Sequence, residues 1–200
     1  MLILASASPR RRQLLQGLGL SFAVRPQNCR EVSDAALPRD YVTQIALQKA
    51  HSAFAQAEEE DVVLAADTVV CLENTILGKP ATLAQARQML EMLSGRTHKV
   101  CTGLVLMSRS RTLTHWEETA VTFYPLSRST IDWYLSTGEP MDKSGSYGIQ
   151  GKGALLVQRV EGDFYNVVGL PLAPLARLFS EMGLPWAGKG GGELLSDDPA

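Results

Sequence analysis

The sequence predicts an α/β protein on three observations. Short apolar runs that suit buried strands alternate with amphipathic segments that suit helices, two long Val-, Leu- and Thr-rich segments flank Ser108-Arg109-Ser110-Arg111 as an antiparallel pair, and no internal repeat is visible. Helices interleaved with strands of both senses imply a central mixed sheet with flanking helices.

In order, residues 2–5 read as a buried strand and residues 9–16 as a helix, with Ser8 as its cap, Pro9 in its first turn, and Gly17 and Gly19 closing it. A short strand follows over 21–25. The next helix, 38–57, carries Val42, Ile45, Ala46, Ala50, Ala53 and Phe54 on its apolar side, and Lys49 falls on that side too. Its ammonium must either snorkel out of the packed face or reach into a cleft at the helix edge. Residues 61–72 form a strand apolar enough to be buried on both faces, interrupted by Asp67-Thr68. Glu73-Asn74 is a turn, and Thr82 begins a helix with Gln85 in capping-box position that ends at Ser94-Gly95. Strands over 97–107 and 112–124 lead to a helix from Ser127 to about Ser136. The glycine-rich loop 142–153 precedes strands over 154–160 and 164–168, and a last helix covers 171–182.

With 200 residues, 45% of them apolar, the chain can bury a sizeable core. A net charge of −2 argues against a broad basic face for long nucleic acid. Three dispersed cysteines without a C-x-x-C pair indicate neither a disulfide framework nor a zinc site. The first apolar run is too short for a signal-peptide core and no stretch approaches a membrane span, so a soluble, cytoplasmic protein is expected. Residues 1–185 are expected to form one domain, and the Gly- and Asp-rich residues 186–200 a mobile tail.

Arg10-Arg11-Arg12 follow Ser6-Ala7-Ser8-Pro9 at a strand-to-helix turn, where free helix amides and arginines can face one anion. A solvated basic first turn would have the same sequence. The candidates elsewhere are Asp67 inside its apolar strand, Glu31 in a loop, and the cations Lys49, Lys79 and Lys143. A buried carboxylate is costly unless it is hydrogen-bonded, metal-bound or open to a cleft, so Asp67 calls for a specific role. Acids and cations together suit phosphoanhydride hydrolysis, in which cations neutralise oxyanion charge and an acid orients water or holds a divalent metal. Gly151-Lys152-Gly153 is no P-loop, and no G-x-G-x-x-G follows a strand. His51, His98 and His115 have no metal-ligand spacing and read as surface or helix histidines. Ser6 and Ser8 lack a histidine partner and suit donation to phosphate. Gly78-Lys79-Pro80 also fits an ordinary turn and Asp142-Lys143 a surface ion pair, while Gln150 between glycines offers a donor and an acceptor to a base edge.

Six segments, Ala5-Ser6-Ala7-Ser8-Pro9-Arg10-Arg11, Ala66-Asp67-Thr68-Val69-Val70, Gly78-Lys79-Pro80, Leu93-Ser94-Gly95, the run from Asp142 to Gly151, and Val168-Gly169-Leu170-Pro171, resemble in this order the Maf family of nucleotide pyrophosphatases. The resemblance covers residues 1–183. It implies a fold like that of the inosine triphosphate pyrophosphatases, with two lobes around a cleft, and cleavage of a nucleoside triphosphate between the α and β phosphates with a divalent cation, Mg²⁺ or Mn²⁺. By the same resemblance Asp67 is the catalytic acid, Glu31 the second acid near the metal, Ser6, Lys49 and Lys79 phosphate ligands, and Arg11, Thr68 and Gln150 selectivity residues; Arg10, a cation of the same turn, is expected to join the phosphate ligands, and Asp67 to share the metal with Glu31. The segments Tyr147-Gly148-Ile149-Gln150 and 163–168 resemble the branch acting on dTTP and UTP rather than that acting on 7-methyl-GTP. Gly78 departs from the family, whose members often carry Glu before Lys-Pro. The family's association with septum inhibition implies an alternative, a nucleotide-binding regulator of cell division acting without turnover. The expected partners are the triphosphate, neither long nucleic acid nor membrane, and a second copy in a homodimer as an option.

Overall fold

The computed structural model describes residues 1–27, 29 and 31–185; the expected tail, 186–200, lies outside the described residues. The central sheet runs β2 (Phe22–Val24), β1 (Leu2–Leu4), β3 (Val62–Leu72), β5 (Thr97–Met107), β6 (Thr112–Phe123), β7 (Val157–Glu161), with β4 (Thr75–Leu77) paired to the end of β3. β1 pairs in parallel with β2 and β3, and the other pairings are antiparallel, so the sheet is mixed.

The near-continuous apolarity of β3 has a direct cause. Val63 and Ala65 point to α2 (Pro38–Phe54), where they meet Ala46, Ala50 and Ala53, while Leu64 and Ala66 point to the opposite face. There they pack with Leu15 of α1 (Pro9–Gly17) and with Leu175, Leu178 and Phe179, which lie on α6 (Leu172–Glu181). Helices on both faces remove the polar side that a half-exposed strand would show. Further along the same strands a separate core forms: Val70, Leu72 and Val100 pack with Leu90 and Leu93 of α3 (Leu83–Leu93) and with Ile131 and Tyr134 of α4 (Arg128–Ser136). The long strands therefore cross two apolar clusters, and Asp67-Thr68, opposite Gly103 and Thr102, falls between them.

Helix ends follow the expected chemistry. Ser8 Oγ accepts from Arg11 N and Thr82 Oγ1 from Gln85 N, while Gln85 Oε1 accepts from Ala81 N, one residue before the usual capping-box partner. Four departures from expectation follow. Residues 164–168 form a short helix, α5 (Phe164–Val168), in place of a strand. Asp163 Oδ1 accepts from Tyr165 N at 2.7 Å, Gly169 ends the turn at φ 113°, and Asn166 donates inward to Val100 O and Thr119 Oγ1, all of which outweigh the β preference of Phe, Tyr and Val. The other strand begins at Val157, because residues 151–156 wind as a 3₁₀ turn starting from Gly151 at φ 71°. β4 adds a strand after the expected Glu73-Asn74 turn, and the helix expected over 38–57 stops at Phe54.

Candidate active site

A cleft of about 390 Å³ opens where the two cores separate. The β1–α1 turn supplies Ser6 and the arginines, α2 supplies Lys49, β3 supplies Asp67 and Thr68, and the loop after α4 supplies Lys143 to Gln150. Glu31 and Lys79 complete the lining. Of the residues singled out from sequence for this chemistry, all but Arg12 line one cavity: Ser6, Ser8, Arg10, Arg11, Glu31, Lys49, Asp67, Thr68, Lys79, Lys143 and Gln150.

Lys49 settles its own ambiguity. Its Nζ reaches into the cleft, 2.6 Å from Asp67 Oδ1 and 3.0 Å from Glu31 Oε1, with side-chain exposures of 14% for Lys49 and 13% for Asp67. Burial raises the Asp67 carboxyl above the ordinary carboxylate value, and Lys49 and then Arg11 oppose that shift. The net result is an acid more basic than a surface aspartate that still has a cation beside it.

Arg11 behaves differently from a solvated first-turn arginine. Its Nε donates to Gly169 O at 2.8 Å, Nη1 to Ala66 O at 2.8 Å and Ser6 Oγ at 3.1 Å, and Nη2 to Thr68 Oγ1 at 3.0 Å. Burial pulls its pKa below the ordinary value, with Asp67 opposing. The side chain therefore ties α1, β3 and the residue after α5 together, and the sequence expectation of three cations facing an anion is revised. Arg10 lines the cleft 3.6 Å from Asp142, while Arg12 is exposed and not part of the lining. Lys79 and Gln150 are exposed at the mouth.

The glycine-rich loop is locked onto the sheet. Ser144 Oγ donates to Thr68 O at 3.0 Å and Gly145 N to Gly78 O at 3.1 Å. Gly145 has φ 67°, and a Cβ there would lie 2.8 Å from Val70, so the close approach requires glycine. Lys143 Nζ donates to Asp142 Oδ1 and Glu139 O, which makes the Asp142-Lys143 pair real but within the cleft wall. Val70, Val100, Tyr147, Ile149 and Val168 also line the cleft and give it an apolar stretch.

Sequence reasoning missed two residues here. His98 is 1% exposed rather than a surface or helix residue: its Nε2 lies 2.8 Å from Tyr147 Oη, and edge-on rings of Phe123 and Tyr147 surround it. Burial lowers its pKa to about 4. The signal was present in the alternation of β5, where Thr97 and Lys99 point out while His98 and Val100 point in. Thr102, fully buried, bonds Thr68 from behind at 2.8 Å. His51 and His115 stay outside the cleft, and Cys29, Cys71 and Cys101 are free thiols.

Among the described residues no group of three or more His, Cys, Asp or Glu side chains converges on a point. Glu31 and Asp67 nevertheless converge on one cation, the Lys49 ammonium. Two carboxylate oxygens suit a hard divalent ion that takes its remaining ligands from phosphate and water.

The fold and the site define an α/β protein with a mixed sheet, whose two cores part around a cleft lined by a buried acid and by Arg10, Lys49, Lys79 and Lys143. The Maf-like protein family model matches residues 1–182, and the chain belongs to that family. It is 52% identical over 176 residues to a protein of Bacillus cytotoxicus named dTTP/UTP pyrophosphatase, covering 88% of this chain and 92% of the relative. A Bacillus anthracis protein of the same name is 48% identical over 177 residues, covering 88% and 92%. Among solved structures, a HAM1 protein from Coxiella burnetii matches 90% of this chain and 98% of its own at 17% identity, with a TM-score of 0.54, a likeness of fold alone. No helix among the described residues is long and apolar enough to cross a membrane.

Proposed function

We propose that the protein hydrolyses dTTP and UTP between the α and β phosphates, giving the nucleoside monophosphate and pyrophosphate. The observation that carries this reading is Asp67, an acid of raised proton affinity held at 2.6 Å by Lys49 in a cleft that also presents Arg10, Lys79 and Lys143. The names of the relatives point to the same substrates.

In this reading the triphosphate lies along the cations, with Ser6, Arg10, Lys49 and Lys79 meeting phosphate oxygens and offsetting the charge that develops on the leaving pyrophosphate. Asp67 accepts a proton from the attacking water as its oxygen bonds to the α phosphorus and the bond to the bridging oxygen breaks. Burial favours that transfer by making Asp67 the better base. Glu31 and Asp67 are the residues that would hold a divalent cation, Mg²⁺ or Mn²⁺, which supplies charge neutralisation at the phosphates when bound. Gln150, at the mouth beside the apolar wall, offers an amide to the base.

Pyrophosphate release from dTTP, UTP, CTP, ATP and GTP with Mg²⁺ or Mn²⁺ tests the reading. The expected outcome is kcat/KM highest for dTTP and UTP, with nucleoside monophosphate as co-product. Release of orthophosphate alone, or equal values for UTP and CTP, would refute it.

A further inference from the structure

We propose that Thr102, which does not itself line the cleft, determines which base the cleft accepts by fixing the direction of the Thr68 hydroxyl hydrogen. The inference rests on the dTTP/UTP reading and assigns it a physical origin. Thr68 lines the cleft, whereas Thr102 is fully buried behind it on β5.

The hydrogen bonds around the two threonines form a directed chain. Thr102 Oγ1 lies 3.2 Å from the backbone carbonyl of Asn166, to which it can only donate. A threonine hydroxyl has a single hydrogen. The hydrogen in the 2.8 Å contact between Thr68 and Thr102 must then come from Thr68. On its other side Thr68 Oγ1 accepts from Arg11 Nη2 at 3.0 Å. Thr68 is left with one lone pair and no hydrogen to present to the cleft. Reversing the chain would turn both neighbouring donors onto Thr68 and take from the Asn166 carbonyl its second donor, the first being Gly169 N at 2.9 Å. The order in which each hydroxyl both accepts and donates is also the mutually polarising one.

The far end of the chain is held in place. Asn166 is fully buried, and its Nδ2 donates to Val100 O and Thr119 Oγ1, both at 2.9 Å. At the near end, four of the five Arg11 N–H groups are taken by Gly169, Ser6, Ala66 and Thr68, which leaves one hydrogen on Nη2 without an acceptor among the described residues. The cleft therefore presents a fixed acceptor, Thr68 Oγ1, next to a fixed donor. Uracil and thymine carry one ring donor, N3–H, flanked by carbonyls, and match this pair. Cytosine, held in the same pose by its sugar and triphosphate, turns the N3 lone pair toward that of Thr68, a mismatch that a polar site rejects strongly.

The test measures kcat/KM for UTP and CTP, with Mg²⁺, in the wild type and in Thr102→Val, Thr102→Ala and Thr102→Ser, alongside Tm. Removing the Thr102 hydroxyl frees the Thr68 hydrogen to turn toward the cleft, where it can serve cytosine N3. Thr102→Val and Thr102→Ala are expected to lower the UTP:CTP ratio about ten-fold, mainly by raising CTP turnover, and Thr102→Ser to keep the wild-type ratio. A ratio within about two-fold of wild type in either hydroxyl-free variant that folds would overturn the relay, as would an equal loss for both substrates or a fall that Thr102→Ser shares. A wild type without preference for UTP would instead remove the substrate reading itself, and the relay with it.

Discussion

Asp67 interrupts an apolar strand at the point where two cores part, and its chemistry follows from that place. Burial raises its proton affinity and Lys49 keeps a charge opposite it. Asp67→Asn keeps the shape and removes the basicity, so turnover should fall roughly 100-fold or more. Stability should hold or rise, because the variant has no carboxylate to desolvate and Lys49 retains Glu31 at 3.0 Å. Parallel measurement of kcat and Tm checks both, and activity within a few-fold of wild type would remove Asp67 from the mechanism. At this scale the acid was legible, since a lone carboxylate in an apolar run has few structural explanations. The direction of Arg11 was not: a basic first turn reads alike whether the guanidinium points to solvent or, as here, into Gly169, Ala66, Ser6 and Thr68.

At the scale of elements, α2 delivers Lys49 to the cleft, and how close the helix lies to the sheet is decided at Gly103. A Cβ at that position would sit 2.6 Å from the backbone carbon and oxygen of Val42, near the start of the helix. Backbone atoms cannot rotate away as a side chain can, so Gly103→Ala must lift α2 from β5. The expected cost is about 1–3 kcal/mol in denaturant unfolding, together with a fall in kcat as Lys49 withdraws from Asp67. Unchanged unfolding midpoint and kcat would show that the helix tolerates the displacement. Periodicity placed α2 and the long strand pair correctly because their faces differ in polarity along many residues. It failed at 164–168, where five residues carry too short a pattern to outweigh a cap at Asp163, a stop at Gly169 and the inward bonds of Asn166.

Across the whole molecule, stability should depend on pH through His98. The folded protein holds this imidazole neutral, its pKa lowered to about 4 by burial, whereas in the unfolded chain it titrates near 6.5. Between those values the unfolded state binds more protons, so stability rises with pH through this window and is lost as pH falls from about 6.5 toward 4. The contribution is on the order of 3 kcal/mol. In His98→Phe, with Tm followed from pH 7 to about 4, this acid-dependent loss should shrink; an identical pH slope in the variant would place the titration elsewhere.

The sequence by itself determined the α/β class and the order of nearly all elements, because apolar periodicity and caps are local signals, and it marked Asp67 and the cations as isolated charges, while the family resemblance supplied the rest of the candidate site. Tertiary structure alone decided that Lys49 reaches Asp67 and Glu31, that Arg11 turns inward, that His98 is buried against Tyr147, and that Thr102 stands behind Thr68. These pairings join residues far apart in the chain, and which of them meet depends on how the strands align and on how closely α2 and the loop after α4 pack against the sheet.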